Sequence, residues 1–260
     1  MPDNTLSIVV PSLNQARFIR RTLESLRIQK NLQVGELEIV VIDGGSIDGT
    51  VEIIREYEPM LSFWISEPDD SQTDALIKGF SVCHGSILGW LCSDDILEPW
   101  TVREVLDFFT TRSEVRFVYG DAEWIDDQDR LIRPKREIPF NWFIWKHDHN
   151  YIPQPAAFWR TELYQEVGGL DPAFIAAMDG NLWAQFALRT SPVHVPRPWA
   201  KMRFYAEQKN LRLRSRSDHE DRLTRTRLGI RYENRLLVKC RYVAAKSLRV
   251  LWKLFTNCYG

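Results

Sequence analysis

The chain has 260 residues, of which 44% are hydrophobic, 27% charged and 12% aromatic, and its formal net charge is -1. That length accommodates one large α/β domain with an appendage, and the composition is that of a soluble globular protein. No run of about 18 apolar residues occurs, which excludes a membrane-spanning helix, and the opening MPDNTLSIVVPS lacks the basic and apolar regions of a signal peptide.

The charge is unevenly divided. Residues 201–260 hold 16 Lys/Arg against 5 Asp/Glu, leaving 18 against 30 in residues 1–200, which marks a body with a charged attachment. The four cysteines, Cys83, Cys92, Cys240 and Cys258, show no C-x-x-C spacing and fit reduced thiols of a cytosolic protein better than a disulfide framework.

Short apolar runs alternate with amphipathic helical patterns, the mark of βα units and a largely parallel sheet. Residues 6–11 read as a first strand and 15–28 as the helix after it. Residues 37–42 form a second strand, ending in Asp43-Gly44-Gly45-Ser46 before a helix over 48–57. A third strand over 61–66 precedes a helix over 71–82, and a fourth over 87–92 runs into Ser93-Asp94-Asp95 and a helix over 99–110. Residues 115–119 give a fifth strand, and from 121 to about 160 the pattern loosens. Helices resume over 161–167 and 179–188, Gly168-Gly169 terminating the first in a left-handed turn, and residues 215–255 read as one or two basic helices.

Open α/β sheets bind ligands beyond the carboxyl ends of their strands. Those ends carry Pro11-Ser12-Leu13-Asn14, then Asp43, then Glu67-Pro68-Asp69-Asp70, then Asp94-Asp95, so carboxylates converge on one rim. Crowded like charges repel, and a hard divalent cation with oxygen ligands is the simplest compensation. Asp48 reads as a helix cap; the adjacent Asp94 and Asp95, following a strongly apolar strand, do not.

The blocks SIVVPSLNQARFIRRTLESL, IVVIDGGSIDGT, ISEPDDSQTDALIKGF and GSILGWLCSDDILEPWTV, in this order, resemble the nucleotide-binding half of family 2 inverting glycosyltransferases. IPQPAAFWRTELYQEVGGLDPAFIAAMDGNLW resembles their acceptor half, and the resemblance spans roughly residues 6–210. It implies a GT-A fold, an α/β/α sandwich around a mostly parallel sheet, with residues 1–120 as the nucleotide-sugar half and 121–210 as the acceptor half. Basic helices follow over 211–260. It further implies that Pro11, Ser12 and Asn14 line the nucleotide and that Asp43 meets the nucleobase. Asp74 and Lys78 face the cleft. Asp94 approaches ribose and metal, Asp95 is the main ligand for Mg²⁺ or Mn²⁺, and Asp179 is the general base. Gln154 and Trp183 fall where acceptor or donor sugar is positioned.

The sequence departs from the family at several points. Asn181 replaces a usual second Asp, Gly180 a usual aromatic, Cys92 a common Asn, and Tyr205 a frequent His near the metal. Neither the Q-x-x-R-W element nor the membrane helices of processive members is present, so one sugar per encounter is expected.

Other features have two readings. His147-Asp148-His149 is a metal pair or a solvated loop, the loop being the commoner case. Trp142 and Trp145 stack on sugars or pack in the core. DGGSIDG lacks G-x-G-x-x-G, so no dinucleotide fingerprint is present. In the tail, Leu237, Cys240, Ala244, Leu248, Leu251 and Phe255 share one helical face and Lys239, Tyr242, Lys246, Arg249 and Lys253 another. Such a helix lies on anionic lipid at a cytoplasmic membrane face, or packs on the domain or a second subunit. No recognisable nucleic-acid module accompanies the charge, so nucleic acid is not an expected partner.

The reading that joins these features is metal-dependent transfer of one sugar from a nucleotide-diphosphate donor to a hydroxyl of a glycan or lipid-linked glycan, with inversion. The competing readings are a non-catalytic nucleotide-sugar or glycan-binding module and a nucleotidyltransferase.

Overall fold

Strands buried on both faces read as near-continuous apolar runs, and the first two do so around Ser7 and Glu38, which hydrogen-bond each other. In the computed structural model, which describes residues 4–232 and 234–256, Leu6–Ser12 (β1) is buried along its whole length. Side chains alternate across the sheet, so Ile8 and Val10 enter one core while Val9 enters the other. Ile19–Arg27 (α1) follows β1 and covers the first core through Ile19, Leu23 and Leu26. It starts later than the sequence pattern suggests, because Asn14 is left-handed (φ 51°) and residues 16–18 form a turn.

Leu37–Asp43 (β2) repeats the alternation, and Thr50–Glu56 (α2) joins α1 on the first face. Phe63–Ser66 (β3) leads to Gln72–Ser81 (α3), which packs on the second face through Ala75, Leu76 and Phe80. Ser71 caps α3, its hydroxyl accepting from the Asp74 amide at 3.2 Å. Ile87–Trp90 (β4), Ile96–Leu97 (β5) and Thr101–Thr111 (α4) complete the first half.

The second half contains Phe117–Ile125 (β6), Leu131–Lys135 (β7), Trp142–His147 (α5), Ala157–Arg160 (β8), Thr161–Glu166 (α6), Met178–Ala187 (α7) and Val193–Arg203 (β9). The strand order is β3-β2-β1-β4-β8-β6-β9-β5, with β7 on β6. β3, β2, β1 and β4 are parallel, so their carboxyl ends share one edge. β8 runs antiparallel to β4 and β6, whereas β6 and β9 are parallel. β5, β7, β8 and β9 are absent from the sequence reading, and β9 is the longest of them. Pro196 and Pro198 argue against a ladder, yet its pairing with β6 slips on both sides of Asp121 and so passes the prolines.

The chain ends in Lys209–Arg212 (α8), Arg214–Arg227 (α9) and Arg235–Phe255 (α10). α9 is not a loose attachment. Glu220, 3% exposed, accepts from the backbone N–H groups of Ile175, Ala176 and Ala177 at 3.1, 2.9 and 2.8 Å, just before α7. Burial alone would raise its pKa, but Arg216 and these amides hold it below the usual value. Glu220→Ala would strand three amides, and a loss of about 2–3 kcal/mol in a denaturant titration is expected.

α10 lies against α5, over a third apolar cluster of Ile138, Ile144, Trp145 and Tyr151 that Leu228 and Trp252 join. Trp145 is therefore core. Asp148 pairs with Arg249 at 2.6 Å and His149 at 3.0 Å, a structural anchor in the stretch weighed above as a metal pair. Gly168 and Gly169 have φ of 81° and 76°, the left-handed helix end expected. Cys83, Cys92 and Cys240 are free thiols, and Cys258 lies outside the described residues.

Candidate functional site

The shared carboxyl edge of β1–β4 gathers the rim. Ser12 pairs with Asp43, and Asp43 with Ser66, across the three strand ends. Asn14 ties two loops together: its amide donates to Ser46 Oγ at 2.7 Å and its Oδ1 accepts from the Ile47 amide at 3.0 Å. Ser12 Oγ, a buried hydroxyl, has no hydrogen-bond partner among the described residues.

Asp43 is fully buried. Its Oδ2 accepts from the Ser46 amide at 2.8 Å and Ser66 Oγ at 2.6 Å, and its Oδ1 accepts from the Ser46 hydroxyl. In this structure Asp43 thus holds the glycine turn. The neighbouring carboxylate is Asp69, packed so close to Gly44 that a Cβ there would meet Asp69 Oδ2 at 2.7 Å. Burial, then the nearby Asp74, Asp43 and Asp70, raise Asp69 above the usual carboxylate value against the pull of Lys78. Lys78 Nζ, on α3, lies 3.3 Å from Asp74 one turn earlier and 3.3 Å from Glu67, which directly follows β3.

Beyond β4, Asp94 and Asp95 sit with Cys92 so that one ligand atom from each lies within 4.8 Å of the others. Burial pushes Asp94 upward, opposed by the hydrogen bond from Tyr205 and by Arg203. Burial first, and the Asp94 charge second, push Asp95 well above the carboxylate range, opposed by the Arg203 amide and side chain. β9 supplies this support. Arg203 is fully buried, its amide donating to Asp95 Oδ1 at 2.9 Å and its Nε to the Asp94 carbonyl at 2.8 Å. Tyr205 Oη donates to Asp94 Oδ2 at 2.9 Å, so the residue in the expected His position orients a carboxylate. Each acid keeps one oxygen outside these bonds, and two desolvated neighbouring carboxylates suit a hard divalent cation. The donor set therefore fits Mg²⁺ or Mn²⁺ on Asp94 and Asp95.

Gln154 is held by two contacts: its Nε2 donates to the Trp90 carbonyl at 2.8 Å, and its Oε1 lies 3.3 Å from Cys92 Sγ. Gln72 Nε2 reaches the same sulfur at 3.3 Å, while Gln72 Oε1 accepts from Lys209 Nζ at 2.7 Å. Burial draws the Lys209 pKa down, and its charge is felt by both Cys92 and Asp179. Through Gln72, Lys209 is tied to Cys92 beside the paired acids.

Asp179 stands in the first turn of α7, its Oδ2 accepting from Asn150 Nδ2 at 3.1 Å. Burial pushes its pKa up to about 6, assisted by Asp221 and opposed by the Gly180 amide and Lys209. Asp221 belongs to α9. A Cβ on Gly180 would meet Asp221 Oδ1 at 3.4 Å, so the tail occupies the space beside this glycine. Asn181 turns away from the cleft, its Nδ2 donating to Thr224 Oγ1 at 3.2 Å, which accounts for an amide where a second acid is usual.

Trp183 is a correction. It is fully buried, stacked on Trp90 at 5.5 Å and Phe117 at 4.9 Å, so it packs the second core and cannot lie against a sugar. The sequence reading also missed Gln72, Lys209, Arg203 and Asn150. Arg203 ends the unrecognised β9 and Lys209 follows it, and only the discovery of that strand would have pointed to them.

A doubly covered α/β sheet with paired acids beyond its fourth strand defines a glycosyltransferase fold of the GT-A type. The sequence profile described as Glycosyl transferase family 2 matches residues 7–168, and the chain belongs to that family. It is 30% identical over 195 residues to an uncharacterized glycosyltransferase of Mycobacterium tuberculosis (strain CDC 1551 / Oshkosh), covering 74% of this chain and 72% of the relative. It is 32% identical over 146 residues to the chondroitin synthase of Escherichia coli, covering 55% of this chain and 20% of that protein. Among solved structures, S. aureus TarS 1-349 in complex with UDP-GlcNAc matches with a TM-score of 0.65 at 16% identity over 78% of this chain and 60% of its own. The mannosyltransferase PcManGT from Pyrobaculum calidifontis, in complex with GDP-Man and Mn²⁺, matches with a TM-score of 0.63 at 18% identity over 82% of this chain and 61% of its own. These structures share the fold, and the chain spans about three fifths of their length.

Proposed function

We propose that this glycosyltransferase moves a single hexosyl unit from a nucleotide-diphosphate sugar to a hydroxyl of a glycan or lipid-linked glycan, inverting the anomeric carbon. The observation that carries the reading is the desolvated pair Asp94 and Asp95 beyond β4, held by Arg203 and Tyr205, and Asp179 in the first turn of α7 is the carboxylate assigned as base. Support also comes from the donors held by the two structural neighbours named above.

Asp69, Asp74 and Lys78 on the cleft rim take the nucleoside end of the donor, and Gln154 with Lys209 lies where diphosphate and sugar meet. Mg²⁺ or Mn²⁺, bound by Asp94 and Asp95, would neutralise the charge that grows on the departing diphosphate. Asp179 accepts the proton of the acceptor hydroxyl while its oxygen forms the new bond to the anomeric carbon. The bond from that carbon to the diphosphate breaks, and nucleoside diphosphate leaves with the bonding pair. One displacement with one base inverts the centre, and no protein nucleophile is required. A carboxyl with a pKa of about 6 is ionised at neutral pH yet basic enough to take a proton in the transition state.

Incubation with mixed UDP- and GDP-sugars, Mn²⁺ and glycan or glycolipid acceptors, followed by mass spectrometry, should show an acceptor heavier by one sugar. Binding without product would instead favour a non-catalytic module. Consumption of a nucleoside triphosphate with release of pyrophosphate would favour a nucleotidyltransferase.

A further inference from the structure

α10 reverses the usual sense of a surface helix, with charge against the protein and apolar side chains outward. Ala245 is fully buried and Lys253 is 8% exposed, whereas Leu236, Val243, Leu251, Leu254 and Phe255 are 72, 52, 50, 58 and 87% exposed. Ionic anchors set this rotation. Lys253 Nζ reaches Glu137 Oε2 at 2.8 Å and the Arg136 carbonyl at 2.6 Å, and Arg249 Nε reaches Asp148 Oδ2 at 2.6 Å. Turning the apolar stripe inward would break these buried pairs.

With Cys240 and Leu248, also exposed, the outward residues fall at three- and four-residue spacing in two groups, Leu236-Cys240-Val243 and Leu248-Leu251-Phe255, on one side of the helix. Residues 235–260 contain six basic residues and no acid. Four of them, Arg235, Lys239, Arg241 and Lys246, are not the anchors and lie alongside the stripe. Beside the helix, a cavity of about 180 Å³ is lined by Lys146, His147, Arg225, Arg231, Tyr232 and Arg241. Its one acid, Asp148, is already engaged by Arg249 and His149. With 21 residues the helix has the length to span a bilayer, but it is too charged and not apolar enough to cross one.

We propose that α10 is a docking surface for an anionic phospholipid bilayer: it lies in the headgroup plane, its apolar stripe in the acyl boundary, with its basic shoulders and the adjoining cavity on lipid phosphates. Charge selects lipid over a second copy of the chain, because a dimer through this stripe would set two acid-free basic helices side by side. Docking does not depend on the proposed transfer reaction and is measured without donor.

Flotation of the full chain with vesicles of phosphatidylglycerol mixed into phosphatidylcholine tests it. Binding is expected to the mixed vesicles, to be weak on pure phosphatidylcholine, and to fall as salt shortens the Debye length. The pair Leu251→Glu and Leu254→Glu, both at exposed positions, should lower the bound fraction about tenfold or more with unchanged circular dichroism. Lys239→Glu with Lys246→Glu should remove the preference for anionic lipid. Failure of the wild-type chain to float with mixed vesicles would overturn the proposal. So would a lipid-free dimer, seen by sedimentation, that the leucine substitutions convert to monomer.

Discussion

Asp179→Asn should lower turnover by about 10²–10⁴-fold and make the protein more stable at neutral pH. The first effect follows from removing the proton acceptor while keeping the side-chain shape, since an Asn oxygen can still accept from Asn150 Nδ2. The second follows from the raised pKa. The folded state holds the Asp179 proton up to about pH 6, whereas an unconstrained Asp releases it near 3.8. Between these values the folded state binds more protons than the unfolded chain, so stability falls as pH rises through the window. The ionised carboxylate costs on the order of 3 kcal/mol at neutral pH, and its removal should raise the melting temperature by roughly 6–12 °C. Wild-type turnover should correspondingly rise with pH through about 6 as the base ionises. Scanning calorimetry and single-turnover kinetics on the one variant check both limbs. A variant that is slower yet no more stable would show that Asp179 carries no burial cost.

Asp95→Asn should remove metal-dependent nucleotide binding. The amide oxygen can still accept from the Arg203 backbone N–H, so the support of this position persists, but the charge that attracts a divalent ion is gone. For the wild type, nucleoside diphosphate and Mn²⁺ at about 100 times the dissociation constant should add about 2.7 kcal/mol, a melting shift of roughly 5–10 °C. The variant should show little of this. Equal shifts with and without Mn²⁺ in the wild type would exclude the metal role. Without metal, the variant should be no less stable than the wild type, because burial and the Asp94 charge both oppose ionisation at this position.

The first half of the fold was legible because its signals are local. β1 and β2 are apolar at successive positions and α3 carries its own Ser71 cap, so period and capping locate them without reference to the rest of the chain. Asp94 and Asp95 stood out for the same reason: two adjacent acids after an apolar strand need a compensating partner wherever they fold. The departures at Asn181 and Tyr205 looked like losses in sequence. In three dimensions one binds Thr224 and the other orients Asp94.

The sequence by itself determined the βα alternation, the acid-lined strand ends and the uneven charge, because each is written in neighbouring residues. The tertiary structure decided the rest of the site, which depends on partners far apart in the chain. Arg203 reaches Asp94 across 109 residues and Lys209 reaches Gln72 across 137. It also decided that Trp183 is core and that α10 turns its apolar side outward, since burial is settled by what packs on a face and not by the period of that face.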